Sequence, residues 1–199
     1  MAIKKLYILI VLFMVLNACG DNDPQKEDVP ELITKVTLTF TPASGSPVVV
    51  TATDPDGDGI QSIKTDGSIQ LAKSTDYTLT IQLVNGLAEP GDEAYNVTNE
   101  VESEGDEHMF FFGWTGDAFS APAGNGNIDE RADPVDYSGS MDENGLPLGL
   151  KTKWRSADIT THGASFHVLL KHQPDLKTAV SKSTEGETDL DITFGLSVE

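Results

Sequence analysis

Leu190-Asp191-Ile192-Thr193-Phe194-Gly195-Leu196-Ser197-Val198 closes the chain with apolar residues at alternate positions and polar or small residues between them. A period of two marks an extended strand with one buried face, because successive side chains point to opposite sides of a sheet. The same alternation sets Val36, Leu38 and Phe40 against Thr37, Thr39 and Thr41, and Tyr77, Leu79, Ile81 and Leu83 against Thr78, Thr80 and Gln82. Fainter versions run over 48–53, 108–114, 135–140, 148–155 and 164–172. The pattern predicts about eight strands, with the last one inside a sheet rather than in a tail.

Turn-forming residues separate these segments: 42–47, 54–59, Asp66-Gly67, Asn85-Gly86, 116–133, Asn144-Gly145 and Glu185-Gly186. Helical spacing of apolar residues is confined to a single turn over 97–102. Short strands with one apolar face need a second sheet to cover that face. The expected fold is therefore all-β: an immunoglobulin-like or transthyretin-like antiparallel β-sandwich over 31–199.

Ahead of that domain stand Lys4 and Lys5, an uncharged apolar run of 11 residues from Leu6 to Leu16, and Asn17-Ala18-Cys19. The run is too short to span a bilayer, which takes roughly 20 residues, and reads as a secretory signal. Leu16, Ala18 and Cys19 resemble a lipobox, which implies cleavage of 1–18 and lipidation of Cys19. Cys19 is the only cysteine, so no disulfide can form within the chain, and acylation accounts for a thiol in an exported protein. Several acyl tails at about 0.8 kcal/mol per buried CH₂ make a stable membrane anchor. Residues 19–30 are polar, acidic and Pro-containing and read as a flexible tether.

The whole chain carries 13 Lys and Arg against 32 Asp and Glu, a net charge of −19. Residues 1–18 hold two of the lysines and none of the acids, so the lipidated form carries −21. Such a charge repels nucleic acid and anionic lipid surfaces, keeps a surface protein soluble and attracts cations.

Together with the lipobox, the segments Thr34 to Phe40, Asp54-Pro55-Asp56-Gly57-Asp58-Gly59, Glu107-His108-Met109-Phe110-Phe111-Phe112, Gly145 to Leu150 and Leu170-Lys171-His172-Gln173-Pro174 resemble a family of Bacteroidota (flavobacterial) surface lipoproteins of unassigned function. The resemblance implies the outer membrane, and the acidic tether resembles the signal that exports such lipoproteins to the cell surface; the alternative is a tether facing the periplasm. The family is often labelled a type 1 periplasmic binding fold, a two-domain α/β architecture. No βαβ alternation supports that label here.

Three groups of residues carry candidate chemistry. Asp54, Asp56 and Asp58 with Gly59 match the first half of a calcium loop, where alternate carboxylates converge on a hard cation. Position twelve of such a loop is Thr65 instead of an acid, which excludes a helix-loop-helix site and leaves an acidic hairpin turn or a weak Ca²⁺ site. His108, beside Glu107, can meet His162 or His172 across strands in an imidazole–carboxylate site for zinc or copper. His167 and His172 lie on opposite faces of their strand. Within 89–143 there are 15 acids and one base, Arg131, around several aromatics. Phe110 and Phe112 share a core face, whereas Trp114 and Phe119 are placed as candidates to line a ligand site.

No G-x-S-x-G, H-E-x-x-H, P-loop or dinucleotide fingerprint occurs. The reading is a non-catalytic binding or accessory module, stabilised by Ca²⁺ if the Asp loop is complete. Its alternatives are a transition-metal or nutrient-capturing lipoprotein serving an outer-membrane transporter, and a structural coat or adhesion protein. Exchanging Asp21, Asp23, Glu27 and Asp28 for neutral residues is expected to abolish surface display. Protease digestion of intact cells measures it, and a domain that is still cleaved after the exchange contradicts the assignment.

Overall fold

The computed structural model describes residues 31–57, 62–128 and 134–199. The signal segment 1–18, Cys19, the tether 19–30 and Asp58 lie outside the described residues. Among the described residues no helix is long and apolar enough to cross a membrane.

The chain folds as an all-β sandwich of two sheets. The larger sheet holds β1 (Lys35–Pro42), β2 (Val48–Thr53), β3 (Lys64–Asp66), β5 (Asp76–Val84), β7 (Phe119–Ala121) and β8 (Lys151–Ser156), in the order β3-β2-β1-β5-β8-β7. The smaller holds β4 (Ile69–Leu71), β6 (His108–Trp114), β9 (Thr161–His172) and β10 (Glu187–Val198), in the order β4-β10-β9-β6. One short helix, α1 (Val97–Ser103), follows β5 where the sequence allowed a helical turn. The α/β layout implied by the family label is not the architecture of the described chain.

Alternation built the long strands as expected. Val36, Leu38, Phe40, Leu79, Leu83, Phe194 and Val198 are fully buried, and the terminal β10 lies inside its sheet between β4 and β9. Three differences from the sequence reading have physical causes. Strands β3, β4 and β7 span three residues each, too few for a period to register. β4 joins β10 in parallel, so the smaller sheet is mixed instead of purely antiparallel. Residues 135–140 form no strand: Asp136 bridges Lys153 once, and its Oδ1 then accepts the Ser138 N–H at 3.0 Å, which turns the backbone away.

The core is aromatic. Trp154 of β8 meets Phe112, Phe166, Trp114 and Phe119 with ring centroids 4.8–5.5 Å apart, mostly edge to face. Trp114 and Phe119 are 3% and 4% exposed, so both fill this core and neither lines an open surface. Trp114 shares the inward face with Phe110 and Phe112, four and two positions upstream, and that face is covered by the larger sheet.

β6 is an edge strand, and loops cover its free side. Phe112 N–H donates to Asn127 Oδ1 at 2.9 Å, Trp114 N–H to the Asn125 carbonyl at 3.1 Å and Phe110 N–H to the Leu148 carbonyl at 2.8 Å. Gly126, at φ +105°, makes the closest approach; a Cβ there would overlap the Phe112 carbonyl oxygen. The strand that begins with His108 is thus held on both sides.

Candidate metal centre

The inward-facing row of β6 runs Trp114, Phe112, Phe110, His108, and that of β9 runs Phe166, Val168, Leu170, His172. In the antiparallel register Trp114 lies opposite Phe166 and His108 opposite His172. The two rows that fill the core with rings therefore end in imidazoles at one end of the sandwich. Both are buried, at 0% and 2% exposure, and their rings stack with centroids 4.7 Å apart and planes 7° from parallel.

Five acids surround this pair. Helix α1 is pinned to β5 by Thr98, whose Oγ1 accepts the Leu83 N–H at 2.7 Å, and by burial of Val97 and Val101. The helix supplies Glu100 from its first turn and Glu104 at its C-cap, and the tight turn into β6 supplies Glu107. Asp189 comes from β10, where a β-bulge between Thr188 and Leu190 interrupts the pairing with β9. By strict alternation Asp189 would face outward with Asp191; the bulge turns its carboxylate inward, to 0% side-chain exposure. Glu31 precedes β1, and its N–H donates to Asp189 Oδ1 at 3.2 Å.

His172 Nε2 lies 3.2 Å from Glu107 Oε2. Ligand atoms of Glu104, Glu107 and His172 all fall within 4.8 Å of one another, a grouping able to hold a metal ion. His108 Nδ1 lies 3.1 Å from the Glu104 carbonyl. A carbonyl only accepts, so Nδ1 carries the proton and Nε2 presents its lone pair. That lone pair faces Glu31 Oε1 and Asp189 Oδ2, each 3.6 Å away. His108 Nε2 and Asp189 Oδ2 are both buried without a hydrogen bond, an arrangement that costs about 1–3 kcal/mol per group when nothing lies between them.

Electrostatics follow from burial. Burial lowers His108 to about 4 against the pull of the Glu104 carbonyl, so the imidazole is neutral at pH 7. Burial first, then repulsion by Glu100 and a shared hydrogen bond with it, pushes Glu31 up to about 8. Asp189 is pushed up to about 6, again by burial, against the Glu31 N–H and nearby His172 and Lys171. Acids with raised pKa thus crowd around a neutral imidazole.

The turn that carries Glu104, Glu107 and His108 is clamped by Lys177. Its ammonium donates to the Gly105 carbonyl and, at 2.9 Å, to Asp142 Oδ2; both side chains of this ion pair are 1% exposed. Gln173, on the same loop, donates its N–H to the Glu107 carbonyl at 2.6 Å.

The structure brings His108 and His172 together and leaves His162 out. His162 lies ten positions along β9 from His172, about 33 Å away at the rise of a strand, and it is an exposed side chain 3.7 Å from Glu199. His167 points to the outer face, where its Nε2 meets Asp191 Oδ1 at 2.6 Å. In the Asp54 turn, Asp54 Oδ1 accepts the Asp56 N–H at 3.3 Å and the Asp54 N–H donates to the Thr34 carbonyl at 2.7 Å. The carboxylate of Asp54 is therefore employed in shaping its own turn, and Asp58, the third acid of the motif, is outside the described residues. Sequence reasoning missed Glu31, Glu100, Glu104 and Asp189. The helical turn at 97–102 was the one available signal, and it covers Glu100 but stops short of Glu104.

No protein-family model matches the chain, and comparison with curated proteins and with solved structures returned no match.

The Lys177–Asp142 clamp yields a pH prediction. Burial alone would raise Asp142, but the Leu146 N–H, the Lys177 ammonium and the Asn144 N–H outweigh it and hold the carboxyl below its ordinary value. A carboxyl depressed on folding stabilises the protein above its unfolded pKa of about 3.9, and that contribution is lost as pH falls through the folded value. Asp142→Asn is expected to cost about 3–5 kcal/mol at pH 7, as for other broken buried pairs. In denaturant titrations the gap to the wild type should narrow below about pH 4; a gap unchanged from pH 7 to pH 3 contradicts the clamp.

Proposed function

We propose that the chain is a lipid-anchored, non-catalytic binding module that captures a divalent transition ion at the end of its β-sandwich. The observation that carries this reading is the convergence of a His172 ring nitrogen with the Glu104 and Glu107 carboxylates, all within 4.8 Å, beside a second buried imidazole. Imidazole with carboxylate suits zinc, copper and neighbouring first-row ions, whereas calcium takes oxygen ligands alone. The second imidazole is oriented by a backbone carbonyl, the usual outer partner of a ligating histidine.

Access favours capture over a purely structural ion. Glu107 and Glu31 retain 13% and 10% side-chain exposure, against 2% and 0% for the two imidazoles. The carboxylate edge of the centre meets water while the imidazoles anchor it from within, so an ion has a route in and out. The net charge of −19 raises the local concentration of cations around the domain. Lipidation at Cys19 and surface display through the acidic tether complete the proposal, with an outer-membrane transporter as the partner that would receive the ion.

Thermal unfolding of the full-length protein in detergent, stripped with chelator and then given Zn²⁺ or Cu²⁺, tests it. An ion at 100 times its Kd stabilises the native state by about 2.7 kcal/mol, which for a domain of this size raises Tm by roughly 5–10 °C. Glu107→Gln and His172→Gln should lower the rise while keeping the β-sheet circular dichroism of the wild type. An equal rise in these variants, or none in the wild type, overturns the reading.

A further inference from the structure

The two imidazoles cannot serve the same ion. A metal bound to imidazole lies near the ring plane, along the nitrogen lone pair. The rings of His108 and His172 are 7° from parallel with centroids 4.7 Å apart, so their lone pairs lie in separate, nearly parallel planes. An ion in the plane of His172, among Glu104 and Glu107, lies out of the plane of His108. His108 Nε2 is left with its own set of acids.

We propose that His108 Nε2, Glu31 and Asp189 form a second position for a divalent transition ion, making the end of the sandwich a two-ion centre. The inference rests on the reading of His172, Glu104 and Glu107 as the first position. Its own support is geometric. His108 Nε2 and Asp189 Oδ2 are buried, lack any hydrogen bond and face each other at 3.6 Å, with Glu31 Oε1 at the same distance on Nε2. A cation placed between two such acceptors would satisfy both. The separation exceeds the 2.7–3.2 Å or so of an N–H···O bond. It is close to the distance of about 3.4 Å between two ligand atoms that each sit 2.0–2.1 Å from a tetrahedral ion.

The backbone is arranged to keep this set in place. The Glu104 carbonyl fixes the His108 tautomer so that the free lone pair is the one at Nε2. The Glu31 N–H holds Asp189 Oδ1 and leaves Oδ2 directed at the imidazole. The bulge in β10 exists at the one residue of that strand whose carboxylate it turns inward. A plain antiparallel pairing would have left Asp189 in solvent. Glu104, which offers its carboxylate to one position and its carbonyl to the histidine of the other, links the two.

Zinc content per chain decides the matter, measured on the full-length protein after equilibrium dialysis against Zn²⁺ and removal of loosely held ion. The wild type should retain two ions. Asp189→Asn and, separately, Glu31→Gln should retain one, as should Glu107→Gln. Ion held adventitiously by the acidic surface would not fall with a single buried substitution. Glu31 precedes β1 and its carboxylate is partly exposed, so Glu31→Gln keeps the test open if Asp189→Asn fails to fold. One ion in the wild type, lost with Glu107→Gln and kept with Asp189→Asn and Glu31→Gln, overturns the second position and leaves the first standing. Two ions that survive both Asp189→Asn and Glu31→Gln also overturn it. No retained ion overturns both.

Discussion

The register of β6 against β9 is the constraint on which the rest depends. With Trp114 opposite Phe166, every second residue of both strands enters the interior, and His108 lies opposite His172 at the end of the row. A slip of β6 by one residue would send Phe110, Phe112 and His108 to the other face together and break the pairing of His108 with His172. The aromatic core thus enforces the placement of the histidine pair. Rings that pack edge to face around Trp154 stabilise the sandwich, and the same periodicity delivers two polar rings to a place where only a partner can make their burial tolerable.

What surrounds that pair comes from parts of the chain that are remote in sequence. Glu31 and Asp189 are 158 residues apart and are joined by a backbone-to-carboxylate hydrogen bond. Glu100 arrives on a helix of seven residues and Glu104 at its C-cap, and Lys177 reaches from the loop between β9 and β10 to hold the turn that follows the helix. The centre therefore forms only when both sheets, the helix and the segment ahead of β1 are in place. An ion binding there would stabilise the sandwich as a whole.

The long strands were legible because period two is a local property: 48–53 and 108–114 emerged with the same limits as β2 and β6, and the final strand was found inside its sheet. The three-residue strands were not legible, nor was the parallel pairing of β4, which is a matter of topology. For the centre, opposite faces of β9 already separated His167 from His172, and Glu107 next to His108 suggested an imidazole–carboxylate pair. Partner choice was beyond the sequence, because whether His108 meets His162 or His172 depends on which end of β9 its strand reaches. Asp189 was hidden by a bulge, since the alternation of Asp191 and Thr193 with Ile192 and Phe194 predicts an outward side chain. Trp114 and Phe119 were misplaced for a related reason: the strand that carries Trp114 is covered on its inner face to its last residue.

Metal capture by this end of the sandwich is the central claim, and its most direct test is X-ray absorption at the zinc edge of the zinc-loaded, full-length protein. The account predicts a first shell of nitrogen and oxygen at about 2.0–2.1 Å together with the outer-shell scattering of a coordinated imidazole, reduced in His172→Gln. A shell of oxygen alone, with no imidazole signature and no change in that variant, would contradict it and leave the ion on the acidic surface.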